Sequence, residues 1–273
     1  MSITDGIYPH LSNEDYHADG AISRSGIMKF LESPYKYYAE YLNPNRPVKE
    51  STKAMDFGTA FHTIILEPEL FDKKYIMKPQ TQYLKDIGKN AWEMYKTTLE
   101  YVENCGLEVL SYEDFNLLAD MNNALMNNKQ ARELIENATY ESSYFWTDEH
   151  SGLQVKCRPD ILHTNMIVDL KTCVSASSQA YQKAMIDGCY HIQGAMIREG
   201  VKKLTGRDIS TVINICCEKT YPFEVGIKII SESALEAGHM KFKQALLDIK
   251  RCIEYNDWCG YEPEIVDLPT WAT

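Results

Sequence analysis

The sequence has no long apolar run, no Cys-x-x-Cys pair, no internal repeat and no low-complexity tract. Spanning a bilayer takes about 20 consecutive apolar residues, so no membrane partner is expected. The first residues, Met1-Ser2-Ile3-Thr4-Asp5, carry neither the basic nor the apolar part of a secretory signal. The expectation is a cytoplasmic protein. The eight cysteines are Cys105, Cys157, Cys173, Cys189, Cys216, Cys217, Cys252 and Cys259. Without metal-ligand spacing, and with Cys216-Cys217 inside an apolar run, they read as reduced, mostly buried thiols. Zinc or iron–sulfur ligation is the alternative.

Basic residues are also in short supply. The chain has 28 Lys and Arg against 39 Asp and Glu, a formal net charge of −11. That argues against broad, non-specific nucleic-acid binding. It does not exclude a nuclease, whose catalytic carboxylates add negative charge, but it confines any DNA contact to a defined groove. At 273 residues, with 44% hydrophobic and 25% charged residues, the chain has the composition of a globular protein with a substantial core.

Residues 1 to 22 read as an irregular arm. Ser23 or Ser25 caps a helix from about Gly26, with Ile27, Phe30 and Leu31 on one face. Ser33-Pro34 interrupts it, and Tyr35, Tyr37, Tyr38 and Tyr41 follow. With 18 tyrosines in the chain, that cluster reads as packing. Ala54 to Leu66 forms a second helix with an apolar stripe of Phe57, Phe61, Ile64 and Ile65. It contains His62 and ends at Glu67-Pro68. Residues 69 to 90 read as polar and irregular. Their lysines (Lys73, Lys74, Lys78, Lys85, Lys89) form either a solvated face or a DNA-facing segment. Residues 91 to 137 read as helical.

The pattern then turns to strand. Tyr140 to Trp146 alternates, and Gly152 to Cys157 leads into Arg158-Pro159-Asp160. Ile161 to Val168 reads as strand, turn, strand, with the turn at His163-Thr164-Asn165. Ser175 to Arg198 reads as one long helix. Val212 to Glu218 and Phe223 to Ile230 pair as strands, Ser231 caps a final helix to about Tyr255, and a tail follows. The order fits an α/β architecture with a mixed central sheet flanked by helices. One domain is expected over 1–273: a mostly helical part (1–137), a catalytic sheet with helices (138–255) and a tail (256–273).

Asp160 and Asp169-Leu170-Lys171 carry the chemistry. A hairpin brings the two aspartates side by side, and alternation puts Asp169 and Lys171 on one face with Leu170 on the other. Clustered carboxylates repel and are stabilised by a divalent cation. A lysine beside that cation orients or activates water, a design for metal-assisted phosphodiester hydrolysis. The competing reading is that both aspartates are turn residues flanking a hairpin. By itself His62 reads as a satisfied core histidine. Glu67 reads as a helix terminus in preference to a ligand. Glu141 reads either as a group supporting the site or as an exposed strand charge.

These residues, in order, resemble a known family. Ser33-Pro34, Phe57-Gly58-Thr59-Ala60-Phe61-His62, Leu66-Glu67-Pro68-Glu69, Cys157-Arg158-Pro159-Asp160, Asp169-Leu170-Lys171-Thr172 and Tyr190-His191-Ile192-Gln193 are similar to PD-(D/E)XK nucleases of the RecE (exonuclease VIII) type, in the lambda-exonuclease and RecB-like group. The similarity runs from Gly6-Ile7-Tyr8 to Leu268-Pro269-Thr270-Trp271-Ala272. It implies a PD-(D/E)XK core with an N-terminal helical elaboration.

The resemblance implies roles. Asp160 and Asp169 would bind metal, Asp169 standing where many relatives carry Glu. Leu170 would offer its carbonyl and His62 a further ligand. Lys171 would position the attacking water, and Gln193 would orient the site or the phosphate. Relatives often place a tyrosine four residues after that glutamine; Ile197 stands there, so no role passes to it. Tyr190 is a candidate for stacking on a base, and Arg24 with Ser25 for a terminal 5′-phosphate. The implied activity is Mg²⁺-dependent, with Mn²⁺ as substitute and no iron–sulfur cluster. It degrades one strand of linear double-stranded DNA from 5′ to 3′ and leaves a 3′ overhang for a RecT-like single-strand annealing protein. A homo-oligomeric ring is implied, with a basic channel inside an acidic exterior. A Cas4- or AddB-like single-strand exonuclease and a non-catalytic DNA-binding module on the same fold stay open.

Overall fold

A computed structural model describes residues 3–47, 51–78 and 89–268. The N-terminal part runs β1 (Gly6–Tyr8), α1 (Asn13–Ala18), α2 (Arg24–Glu32), α3 (Pro34–Tyr37), a π-helical turn (Tyr38–Leu42), α4 (Lys53–Leu66), α5 (Pro68–Lys74) and β2 (Tyr75–Met77). Next come α6 (Lys89–Asn104), β3 (Glu108–Leu110), α7 (Tyr112–Asn127) and α8 (Lys129–Ile135). The sheet region holds β4 (Thr139–Tyr140), β5 (Ser143–Thr147), β6 (Gln154–Cys157), β7 (Ile161–Leu162) and β8 (Met166–Cys173). The chain continues with α9 (Ser178–Asp187), α10 (Tyr190–Thr205), β9 (Thr211–Glu218), β10 (Val225–Ile229) and α11 (Glu232–Tyr255).

The main sheet has the order β10-β9-β8-β7-β4. Only β8 and β9 are parallel; the other pairs are antiparallel. Both faces are covered, which is why Ile167 and Val168 are equally buried although they point to opposite sides. On one face Ile167 and Val212 pack under α2, α10 and α11 through Ile27, Ile192 and Phe242. On the other, Val168, Leu170 and Ile213 pack under α4, α7 and α8 through Phe61 and Leu118. The result is a mixed α/β fold with a central mixed sheet flanked by helices. Among the described residues no helix is long and apolar enough to cross a membrane.

Several boundaries differ from the sequence expectation. From Gly6 the arm carries regular structure: β1 pairs with β5, and α1 and the turns flanking it are clamped by two cations, Lys156 on β6 and Arg158 just after it. Lys156 Nζ donates to the carbonyls of Tyr16 (2.5 Å) and Asp19 (2.8 Å), and Arg158 Nη2 donates to that of Leu11 (2.9 Å). The Tyr16 ring packs under both, 4.8 Å from the Lys156 ammonium and 4.3 Å from the Arg158 guanidinium. Ser23, not Ser25, caps α2, accepting from the Gly26 N–H, and Leu31 faces solvent. Residues 69 to 77 are not irregular, because Pro68 opens α5 and β2 follows. Lys85 and Pro269 to Ala272 lie outside the described residues. The tail folds back, with the Tyr35 N–H donating to the Cys259 carbonyl at 3.0 Å.

The long helix expected over Ser175 to Arg198 is two, broken at Gly188-Cys189. Cys189 sits at φ 52°, left-handed backbone no helix interior adopts. A Cβ at Gly188 would lie 2.4 Å from the Tyr190 ring and 2.9 Å from the Ala184 carbonyl oxygen, so the close turn into α10 requires glycine. The expected strand Tyr140–Trp146 is likewise two, β4 in the main sheet and β5 in the three-stranded sheet β1-β5-β6. Glu141, at φ 48°, is the joint between them.

Candidate active site

Leu170 is 1% exposed against α4, and Asp169 and Lys171 turn to the other face of β8, as a period of two requires. Asp160 lies just before β7, where the antiparallel register Ile161↔Val168 carries it alongside Asp169. The Leu170 N–H donates to Asp160 Oδ2 at 2.7 Å. Both aspartates are buried, and both line a cleft of about 740 Å³ together with His62, Glu141, Lys171 and Gln193.

His62 reaches the site from α4. Its Nε2 lies 3.2 Å from the Leu170 carbonyl oxygen. That oxygen can only accept, so Nε2 carries the proton. Nδ1 then faces the carboxylates, 3.6 Å from Asp160 Oδ2 and 3.7 Å from Glu141 Oε1. Burial opposes a charge on His62, but Asp160, Glu141 and Asp169 outweigh it and lift its pKa to about 9. Asp160 is pushed up by burial first and by the Asp169 charge second. Neighbouring negative charge contributes to both shifts. Ligand atoms of His62, Glu141 and Asp160 all lie within 4.8 Å of one another. Two carboxylates and an imidazole are a donor set for a divalent cation. The structure therefore fits the metal chemistry expected of these residues.

Asp169 is held differently. Its Oδ1 accepts from Gln193 Nε2 at 2.7 Å, and its Oδ2 accepts from Asn214 Nδ2 at 3.2 Å and pairs with the Lys171 ammonium. Asn214 is its register partner on β9 and is fixed by the Tyr181 hydroxyl, which donates to Asn214 Oδ1 at 2.6 Å. With both oxygens engaged, Asp169 stands beside the His62–Glu141–Asp160 group without joining it. Burial would lower the Lys171 pKa, but Asp169 and Asp160 more than compensate and raise it, so the lysine stays charged. Its ammonium also lies 3.4 Å from Gln193 Oε1 and 4.8 Å from the Tyr190 ring centroid.

The remaining expected residues separate. Tyr190 is half-buried against Tyr181 and holds the Lys171 ammonium, so its ring serves the lysine instead of an open stacking face. Arg24 lines the cleft, but its Nη1 donates to the Gly188 carbonyl at 2.7 Å. Ser25 is exposed and lines a neighbouring cavity of about 360 Å³ with Arg24, Arg46, Lys156 and Arg158. Ile197 is buried in the core under α10. Glu67 ends α4, begins α5 and lines the cleft mouth; burial, then the Glu141 charge, raises its pKa. Of the two readings of Glu141, the structure gives the one at the site. The only sequence signal was a lone acid within an aromatic run. Asn214 and Tyr181, which brace Asp169, gave none.

The crystal structure of a "Putative exonuclease" from Eubacterium rectale is similar to this chain, with a TM-score of 0.60 and 17% identity. The match covers 93% of this chain and 96% of that one. At this identity the likeness is one of fold. No curated protein matches the chain. A family model described as a PDDEXK-like domain of unknown function (DUF3799) matches residues 23–267. That span carries His62, Glu141, Asp160, Asp169, Lys171 and Gln193, and the chain belongs to this PDDEXK-like family.

Proposed function

We propose that the protein is a divalent-metal-dependent exodeoxyribonuclease acting on linear double-stranded DNA. One observation supports this most strongly: Asp160, Asp169 and Lys171 meet His62 and Glu141 in one cleft, with buried negative charge in excess of what the side chains neutralise. Mg²⁺, with Mn²⁺ as substitute, would be held by His62, Glu141 and Asp160, with Asp169 and the Leu170 carbonyl beside them. When bound, the ion supplies charge neutralisation and polarisation of the phosphodiester. The Lys171 ammonium, released from Asp169, holds the attacking water and offsets charge building on the phosphoryl oxygens. Gln193 keeps Asp169 aligned. The bond that breaks is the one to the 3′ oxygen, giving a 5′-mononucleotide.

The RecE resemblance supports the finer reading. One strand is removed from 5′ to 3′, leaving a 3′ overhang for a RecT-like annealing protein. Arg24, Ser25 and the basic side cavity take the terminal 5′-phosphate. A ring of subunits would reconcile an acidic chain with DNA by keeping a basic channel inside, and a strictly monomeric protein in solution would refute that ring. The test of activity is linear duplex DNA labelled separately at each 5′ and 3′ end, incubated with wild type or Lys171→Ala in Mg²⁺ or EDTA. Mg²⁺-dependent release of the 5′ label as a mononucleotide by wild type alone is expected. Early release of the 3′ label would reverse the polarity, and no cleavage with any metal would leave a binding module.

A further inference from the structure

Beyond the cleft, β8 and β9 run parallel and leave the sheet at the same end, Cys173 in register with Glu218. Side chains following the carboxyl ends of parallel strands are where α/β sheets place their ligands. Two residues there are almost fully solvent-exposed although apolar or aromatic: Val174 at 86% and Tyr221 at 88%. Val174 comes three residues after Lys171. Tyr221 is at the tip of the β9–β10 hairpin.

The hairpin is fastened to the segment that follows Lys171. The Lys219 N–H donates to the Cys173 carbonyl at 3.1 Å, and the Ala176 N–H donates to Glu218 Oε1 at 2.7 Å. Phe223 is half-buried and packs against the core cluster that includes Phe57 of α4, and the Lys219 ammonium lies 5.6 Å from the Phe57 ring centroid. Met55, Gly58 and Thr59, neighbours of Phe57 on α4, line the cleft itself. The Tyr221 ring meets Phe223 edge-on at 6.2 Å. A half-buried aromatic thus braces a second aromatic that is left open to solvent.

We propose that Tyr221 is a base-stacking contact, taking the face of an unpaired nucleobase on the strand whose phosphate lies at Asp160 and Asp169, with Val174 alongside. This rests on the nuclease reading. The chemistry is complementary: the cleft offers groups for phosphate, and the hairpin tip offers an aromatic face for the base. Stacking is indifferent to base identity, which suits an enzyme that must accept every nucleotide.

The test is fluorescence anisotropy with a labelled single-stranded oligonucleotide in Ca²⁺, alongside an otherwise identical oligonucleotide of abasic sites. Tyr221→Ala should weaken binding of the normal strand by roughly 5- to 100-fold. Tyr221→Phe should bind like wild type, and the abasic strand should not distinguish Tyr221→Ala from wild type. Melting temperatures should agree, because the side chain is exposed. Wild-type affinity in Tyr221→Ala, an equal loss on the abasic strand, or equal losses in the Ala and Phe variants would each overturn the stacking role. If wild type cleaves DNA while Tyr221→Ala binds normally, only the stacking contact falls. If wild type neither cleaves duplex DNA nor binds either strand, the nuclease reading falls and takes this one with it.

Discussion

The backbone N–H of Leu170 donates to Asp160 Oδ2 at 2.7 Å, so one oxygen of this buried carboxylate is tied to the strand that carries Asp169 and Lys171. An amide oxygen at 160 can accept the same bond without the charge. Asp160→Asn is therefore expected to melt no lower than wild type in EDTA, and higher by about 1 kcal/mol where the lost charge was repelled by Asp169. Its stabilisation by Mn²⁺ should vanish, and DNA cleavage with it. Thermal melts with and without Mn²⁺ decide this. A variant much weaker than wild type in EDTA would mean that the carboxylate is not under repulsion.

Lys171 contributes through its charge, which burial opposes and two aspartates sustain. Lys171→Ala should lower the cleavage rate by about 10²- to 10³-fold, comparable to the loss of one preorganised donor. Mn²⁺ binding should persist, since the lysine is outside the His62–Glu141–Asp160 group. Single-turnover cleavage beside calorimetric titration with Mn²⁺ separates the two effects. Loss of Mn²⁺ binding with the rate would place Lys171 in the wrong role.

Glu141→Gln removes one carboxylate from the three-residue group. Mn²⁺ affinity should fall by about 10- to 100-fold, and raising the metal concentration should recover part of the activity. Glu141→Asp keeps the charge and suits the left-handed backbone, so any loss of Mn²⁺ affinity in it reports the shorter reach towards His62 and Asp160. Unchanged Mn²⁺ affinity in Glu141→Gln would exclude Glu141 as a ligand.

The pH dependence has a definite sign. Asp160 keeps its proton to higher pH in the fold than in the unfolded chain, where a carboxylate titrates near about 4. His62 is lifted from 6.5 to about 9, so its stabilising charge is complete below 6.5 and lost as pH rises towards 9. In both cases the native state binds more protons, and metal-free stability should fall as pH rises from about 4 to about 9. Metal binding needs His62 Nδ1 without its proton, so affinity should rise over the upper part of that interval. Urea unfolding at several pH values in EDTA and in Mg²⁺ tests both slopes. Metal-free stability that rises with pH would contradict the assignment.

The sequence made the centre of the cleft readable because its determinants are local. Alternation along β8 separates Leu170 from Asp169 and Lys171, and a short apolar–turn–apolar run brings Asp160 alongside. The two-sided burial of Ile167 and Val168 follows from the same pattern. His62 and Gln193 entered through family resemblance, since neither has a local sign of its role. Glu141 was half-read, because a non-glycine residue in left-handed backbone between two strands looks like one continuous strand. The break at Gly188-Cys189 was hidden for a similar reason. A single glycine is tolerated inside a helix, and it takes the left-handed Cys189 and the closeness of the Tyr190 ring and the Ala184 carbonyl to Gly188 to show that the helix ends here.

That break sets an angle as well as a boundary. The Gln193 N–H makes the first-turn bond of α10 to the Cys189 carbonyl at 2.9 Å, so the glutamine's direction is counted from the left-handed residue. Each residue added or removed between them would swing the amide by about 100° around the helix axis. The grip on Asp169 thus depends on chain spacing as much as on side-chain identity: a one-residue deletion there would disarm the cleft while every side chain facing it kept its chemistry.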